Sequence, residues 1–194
     1  MTTNDWITIG LSVIGLLFGS GVVKQYLDRK DARRKEQQAI LDEFLLPLEA
    51  ILNHNRDIHA TLTADQELKS LEFEPAYLQR SFAALSPSDP RRATWRGLIE
   101  GVISDNDRAK ALIQRNGGNV LSVQLKQSLS DFMLHADSWS ALWKASIGDD
   151  PISEDGRRLS TPLFPDGLDR LIAQEIAARR QLARGSGKVV PRYR

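Results

Sequence analysis

Apolar residues recur at spacings of three and four along most of the chain, which is the pattern of amphipathic helices with one buried face. No segment alternates like a strand over more than a few residues, and the chain contains no internal repeat. The first apolar stripe covers residues 40–62, and Pro47 within it predicts a kink or a break between two helices, because proline lacks an N–H and clashes with the preceding turn. The pattern therefore predicts an all-α protein.

Turn residues separate the later helices from one another. Asp89 and Pro90 predict an N-cap and the first position of a long helix, and the Asn-Gly-Gly sequence at 116–118 predicts its end. A short helix over residues 74–85 precedes this one. Two more helices follow, one ending at Gly148 and the last beginning near Asp166. We expect these helices to form an antiparallel bundle over residues 39–184, followed by a disordered basic tail over 185–194.

The inward faces of these helices define the expected core. Large aromatic residues at helical spacing are usually buried, so the tryptophans on the stripes are included. The expected core residues are Ile40, Leu41, Phe44, Leu45, Leu48, Ile51, Leu52, Ile58, Leu62, Trp95, Leu98, Ile99, Val102, Ile103, Ala109, Leu112, Ile113, Leu125, Leu129, Phe132, Met133, Ala136, Trp139, Leu142, Trp143, Ile147, Leu168, Leu171, Ile172, Ile176 and Leu182.

The first segment of the chain has a different pattern. Residues 6–23 contain no charged side chain, and as a helix they would be roughly 27 Å long, close to the ~30 Å hydrocarbon thickness of a bilayer. Trp6 stands at the outer end, where indole rings are favoured at the membrane interface. We interpret residues 1–23 as a transmembrane anchor. The alternatives are a cleaved signal peptide and a buried core helix.

Charges that flank this segment decide between the alternatives and orient it. Asp5 is the only charged side chain before the segment, whereas residues 24–38 form a basic juxtamembrane helix. A signal peptide has the opposite arrangement, with positive charge before its apolar core. Because Lys and Arg stay on the cytoplasmic side, we expect the N-terminus outside and the bundle in the cytoplasm, at a cell inner membrane of bacterial type.

The juxtamembrane helix also suggests contact with lipid. Lys24, Arg29 and Lys30 are close enough to the span to interact with anionic headgroups, while residues further along a straight helix lie beyond the ~8 Å screening length. The alternative is that these charges only set the orientation of the span.

Small residues on one face of the span suggest helix association. Gly15 and Gly19 are four residues apart, and Ser12 lies about one turn earlier, so two helix backbones would be able to approach closely. Homo-oligomerisation is the functional interpretation. The alternative is that glycine is simply frequent in membrane helices.

The net charge of +1 conceals a strong asymmetry. Residues 37–178 carry fourteen basic and twenty-one acidic side chains, while residues 179–194 carry six basic and no acidic ones. An acidic body is repelled by phosphate backbones, so we expect no nucleic-acid binding through the main surface. The chain has no cysteine, which excludes disulfides and thiolate chemistry and is compatible with a reducing compartment.

Two polar residues interrupt the first cytoplasmic stripe. Asn55 and His59 follow the same spacing as the leucines around them, and a buried Asn at such a position can set helix register or oligomeric state. His59 is a candidate for a pH-sensitive contact, or for a metal ligand together with His54. His54 and His59 are five residues apart, which places their side chains well apart around a helix. The simpler interpretation of His59 is a hydrogen-bonded histidine near the end of the bundle.

Catalytic motifs are absent from the sequence. None of the three histidines has the preceding Glu of a di-metal carboxylate bundle, and the Gly-Ser-Gly-Lys sequence at 185–188 follows a helix and lacks the first Gly and the Ser or Thr of a phosphate-binding loop. We therefore expect no cofactor, no metal and no enzymatic activity. An enzyme with an irregular site is the less favoured alternative.

These observations favour a single-pass membrane protein whose helical bundle acts as a non-catalytic interaction or scaffold domain. Its expected partners are the lipid bilayer and either an unidentified protein or further copies of the chain. A second interpretation is a membrane-perturbing effector in which the bundle controls clustering of the spans.

Overall fold

The computed structural model describes Gly21, Ser86 and residues 23–64, 88–147 and 164–184. Within these ranges the chain is helical and contains no strand, which confirms the all-α prediction. The helices are α1 (Val23–Ile40), a π-helical segment (Leu41–Leu45), α2 (Leu46–Ala64), α3 (Pro90–Asn116), α4 (Val123–Ile147) and α5 (Leu168–Ala183). The predicted helix over residues 74–85 and the predicted tail lie outside the described residues.

Pro47 does not divide the first stripe into two separate helices. Of the two outcomes expected at Pro47, a kink or a break, the break is wrong, because the chain remains helical from Val23 to Ala64. The ordinary hydrogen-bond pattern is instead changed just before the proline, where the Leu46 amide donates to the Leu41 carbonyl five residues back. A wider turn of this kind accommodates a residue that cannot donate, so α1, the π-helical segment and α2 form one continuous rod.

The ends of α3 form as their residue types predict. The Asp89 carboxylate accepts a hydrogen bond of 2.9 Å from the Arg91 amide, and Pro90 occupies the first helical position. Hydrogen bonds from the Arg91 side chain and amide lower the pKa of Asp89. At the other end, the α-helix ends at Asn116 and is followed by one 3₁₀ turn, Gly117–Asn119.

α5 begins two residues after its predicted start. Gly167 precedes the helix with φ of 72°, a left-handed conformation that glycine adopts without steric strain. The helix therefore starts at Leu168, whose side chain is buried.

Cross-helix contacts show that neighbouring helices run antiparallel. α5 lies along the rod so that Asp169 pairs with Arg56 of α2 while Arg179 contacts Gln37 of α1. α3 packs against α2 and α4, and α4 packs against α5. The rod and the three later helices thus form an antiparallel four-helix bundle.

The core consists of two hydrophobic clusters arranged along the bundle. The upper cluster lies at the end where α3 turns into α4, and the lower cluster contains Trp95, Trp139 and Trp143. Trp139 and Trp143 stack with ring centroids 6.1 Å apart. Where the structure describes the side chains of the predicted core residues, they are buried or partly buried, with Leu182, which is 38% exposed, as the exception. Leu182 lies within about 20° of the buried Glu175 around the helix axis, so its exposure follows from its position in the last turn of α5, beyond the last buried residue, Arg179.

The first part of α1 extends beyond the bundle. No residue of α1 is buried, and between positions 23 and 36 every side chain is exposed except that of Arg34, which is half-buried. The helix nevertheless continues without interruption past residue 38 into the bundle, so the juxtamembrane helix and the first bundle helix are one element.

Among the helices described, none has the length and apolar character needed to cross a membrane. The expected span at residues 6–23 lies outside the described residues, apart from Gly21 and Val23.

Candidate functional site

The sequence-predicted membrane residues fall into two groups. Ser12, Gly15 and Gly19 lie outside the described residues. Lys24, Arg29 and Lys30 lie on the part of α1 that extends from the bundle, and all three are exposed.

Asn55 lies in a polar layer between the two hydrophobic clusters. Its side-chain amide donates a hydrogen bond of 2.9 Å to the Oδ1 atom of Asn106 on α3. The Oδ1 atom of Asn55 is buried and accepts no hydrogen bond within the described part of the chain. Asn55 thus finds its partner in its own chain, where the pair can fix the register of α2 against α3.

A charged group extends this layer to the surface. The Asp105 carboxylate, next to Asn106, lies 2.7 Å from Nδ1 of His54 and 2.9 Å from a guanidinium nitrogen of Arg108. Asp105 is 7% exposed, whereas the side chains of its two partners are mostly exposed. The layer therefore joins a neutral amide pair inside the bundle to a solvated ion-pair group at its surface.

His59 is one turn further along α2. The residue is exposed, yet part of the imidazole is withdrawn from water, and this desolvation lowers the pKa of His59 from its usual value. Protonation of His59 is therefore less favourable than that of a fully solvated histidine.

The histidines of the described chain lie in different surroundings. His54 pairs with Asp105, while the ring of His135 packs edge-on against Phe164, with centroids 5.6 Å apart. No group of three or more potential metal ligands occurs among the residues that the structure describes.

A buried ion pair on α5 is the feature that sequence reasoning missed. Glu175 and Arg179 are 4% and 2% exposed, and the Arg179 Nε atom donates to Glu175 across 3.0 Å. The Glu175 carboxylate also accepts hydrogen bonds from the backbone amides of Leu121, at 2.8 Å, and Ser122, at 3.3 Å. Arg179 is the first basic residue of the run 179–194, yet unlike Arg180 and Arg184 it is buried.

The remaining nitrogens of Arg179 reach two other segments. One terminal nitrogen donates to Oε1 of Gln37 on α1 across 2.5 Å, and the other donates to the Asn119 carbonyl. A single guanidinium thus joins α1, the turn between α3 and α4, and α5. The sequence did contain a signal for this burial. Glu175 lies three residues after Ile172 and Arg179 three residues after Ile176, so both are on the side of α5 that carries the apolar stripe.

Substitution of Arg179 by Met should lower the free energy of unfolding by about 3–5 kcal/mol, because the buried Glu175 charge loses its counterion. Urea unfolding of a fragment of residues 23–194, followed by circular dichroism, measures this change. Arg180→Met is the matched control, since Arg180 is exposed and its replacement should change stability by less than about 0.5 kcal/mol. Equal losses for the two variants would contradict a structural role for the ion pair.

The Asn55–Asn106 pair should behave as a coupled unit. Asn106→Leu leaves the whole Asn55 amide unpaired and should cost about 1–3 kcal/mol, whereas Asn55→Leu should cost less because it also removes the unpartnered Oδ1 atom. The double substitution should recover part of the loss by joining the two apolar clusters. A double-mutant cycle from urea unfolding measures the coupling, and strictly additive costs would show that the bond does not fix the register.

Comparison of the chain with protein-family models, with curated proteins and with solved structures finds no match. The function is therefore inferred from the contacts, burial and charge of this chain alone.

Proposed function

We propose that the chain is a single-pass membrane protein whose cytoplasmic helical bundle is a non-catalytic scaffold that binds a protein partner or further copies of itself. Residues 6–23 are the span, the N-terminus is outside, and the bundle lies on the cytoplasmic side of an inner membrane of bacterial type. Support comes from the exposed part of α1 and from the buried polar residues.

The exposed part of α1 is the observation that carries this proposal. It follows directly on the uncharged segment and has polar residues on all sides, with no buried residue. A helix that is polar all round and does not join the core is typical of a connection between two bodies. From Val23 to Gln37, which contacts Arg179 of α5, the helix spans about 21 Å. This length supports a helical connection between the proposed span and the bundle.

The buried carboxylates support a structural interpretation. Asp105 interacts with His54 and Arg108, and Glu175 interacts with Arg179 and two backbone amides. Both carboxylates thus have hydrogen-bond partners within the bundle, which supports a structural role for them.

The in-chain bond of Asn55 changes where self-assembly would arise. Because its amide pairs with Asn106, Asn55 is engaged inside the bundle. Self-association is therefore assigned to the span, where Gly15 and Gly19 allow close approach of helix backbones.

The continuity of the rod supports a second candidate function, that of a membrane-perturbing effector. A helix that is continuous from Val23 to Ala64 couples the bundle mechanically to the residues that precede it. Such coupling would allow a change in the bundle to reorient the spans, as the membrane-perturbing effector requires.

Topology is the first test. Alkaline phosphatase fused at the C-terminus should be inactive and a fluorescent protein fused there should be bright, because the basic residues of α1 keep the bundle in the cytoplasm. Fusion of the same reporters before Trp6 supplies the internal control. An active phosphatase at the C-terminus would overturn the proposed orientation.

Assembly is the second test. Replacing Gly15 and Gly19 together by Ile should weaken crosslinking of the full-length protein in membranes, because the larger side chains separate the helix backbones. Val13→Ile with Leu17→Ile is the control, since it also introduces two isoleucines into the span but leaves both glycines in place. If the wild-type protein does not crosslink, the partner is a different protein. Ion leakage on expression that is lost in the Gly15/Gly19 variant would favour the effector function.

A further inference from the structure

The C-terminal end of α5 lies beside the basic segment of α1. Arg179 contacts Gln37, and α5 runs antiparallel to the rod, so the residues after Arg179 continue toward the N-terminus of α1. Arg184 is five residues further on and therefore lies about 7.5 Å beyond the level of Gln37. The fold thus brings together two basic segments that are more than a hundred residues apart in the sequence.

The result is a concentrated positive surface at one end of the bundle, which we name the basic collar. Residues 23–36 and 180–184 together carry eight basic and three acidic side chains, whereas residues 37–178 carry an excess of acidic ones. The following basic residues of the collar are exposed: Lys24, Arg29, Lys30, Arg33, Lys35, Arg180 and Arg184. Because like charges repel, such a surface is stabilised by an anionic partner.

We propose that the basic collar binds the anionic lipid headgroups of the membrane in which the chain is anchored. This inference rests on the proposed span. It adds a second attachment, in which the end of α5 holds the bundle against the bilayer.

Distances along the helices allow this contact. Gln37 is about 21 Å from Val23, so Arg184 lies about 14 Å from the end of the proposed span. The headgroup region occupies about 5–7 Å of this distance on each side of the bilayer. The remaining distance between the headgroup region and Arg184 is close to the ~8 Å screening length at physiological salt, so the Arg184 charge interacts with the headgroups. Arg180 lies one turn further away, and its charge therefore interacts more weakly.

Apolar side chains within the collar favour lipid over a nucleic acid. Leu182, between the two arginines, is 38% exposed, and Tyr26 and Leu27 on α1 are 67% and 51% exposed. Basic residues mixed with aromatic and aliphatic ones are typical of surfaces that lie at a membrane interface. The acidic remainder of the bundle would be repelled by the same headgroups, which leaves the lower cluster directed away from the membrane.

Fluorescence energy transfer from the collar to labelled lipid tests the proposal. The chain has no cysteine, so Gln181→Cys gives one labelling site, and Ala93→Cys on α3 gives the corresponding site at the opposite end of the bundle. Full-length protein is reconstituted into discs of equal parts phosphatidylglycerol and phosphatidylcholine, or of phosphatidylcholine alone. Transfer to a headgroup acceptor should be higher at position 181 in the anionic discs and should fall with added salt.

Charge variants identify the residues responsible. Arg180→Gln with Arg184→Gln should weaken docking by about fivefold for each arginine close to the surface, and by at most roughly 30-fold for the pair. Arg96→Gln with Lys144→Gln removes the same charge at the opposite end and should leave the transfer unchanged. Circular dichroism of both variants checks that the bundle remains folded.

The outcomes separate this proposal from the proposed function. Equal transfer in the two lipid compositions, or no effect of the α5 variant, overturns docking even if the protein still co-floats with lipid. Protein that fails to co-float overturns the span itself. Tight binding of a short RNA to the collar, without a preference for anionic lipid, would overturn membrane docking and identify a nucleic-acid surface.

Discussion

The arrangement of the bundle depends on the guanidinium of Arg179. Removing this group from water costs several kcal/mol unless its donors are satisfied, and here Glu175, Gln37 and the Asn119 carbonyl each accept one hydrogen bond. These acceptors belong to three segments that are distant in sequence. The burial of one charge therefore requires α1, the turn after α3 and α5 to meet in a single geometry.

Polar contacts also divide the bundle into parts that differ in their tolerance of substitutions. Apolar packing above and below is adaptable, because hydrophobic side chains of similar volume can replace one another at moderate cost. The Asn55–Asn106 hydrogen bond between the two clusters is directional and forms only when α2 and α3 are correctly aligned. The upper and lower clusters thus contribute most of the buried surface, while the polar layer determines how α2 and α3 are aligned.

Much of the fold follows from periodicity and caps in the sequence. The stripes identify nearly all of the core, and Asp89 with Pro90 identifies the start of α3, because these signals depend on local geometry. Pro47 predicted the end of a helix less reliably, because the π-helical segment before it accommodates a residue without an N–H and the helix continues. Leu182 shows the opposite error, in which an apolar residue has the angular position of the buried face but lies in the last turn of α5, beyond the last buried residue of that helix. The candidate sites were harder to predict because their partners come from distant segments. Glu175 and Arg179 have the four-residue spacing of an ordinary surface ion pair, and only the tertiary contacts with Gln37 and the α3–α4 turn bury them.

The same contacts explain why one end of the molecule is basic. The Arg179 hydrogen bonds fix α5 at a level where its last turn lies beside α1, so two positively charged segments are held together despite their repulsion. The cost of this repulsion is lowered by exposure to water and salt, and it falls further where anionic groups are near. A bundle stabilised by one buried arginine consequently presents its neighbouring arginines at the end that α1 connects to the uncharged N-terminal segment.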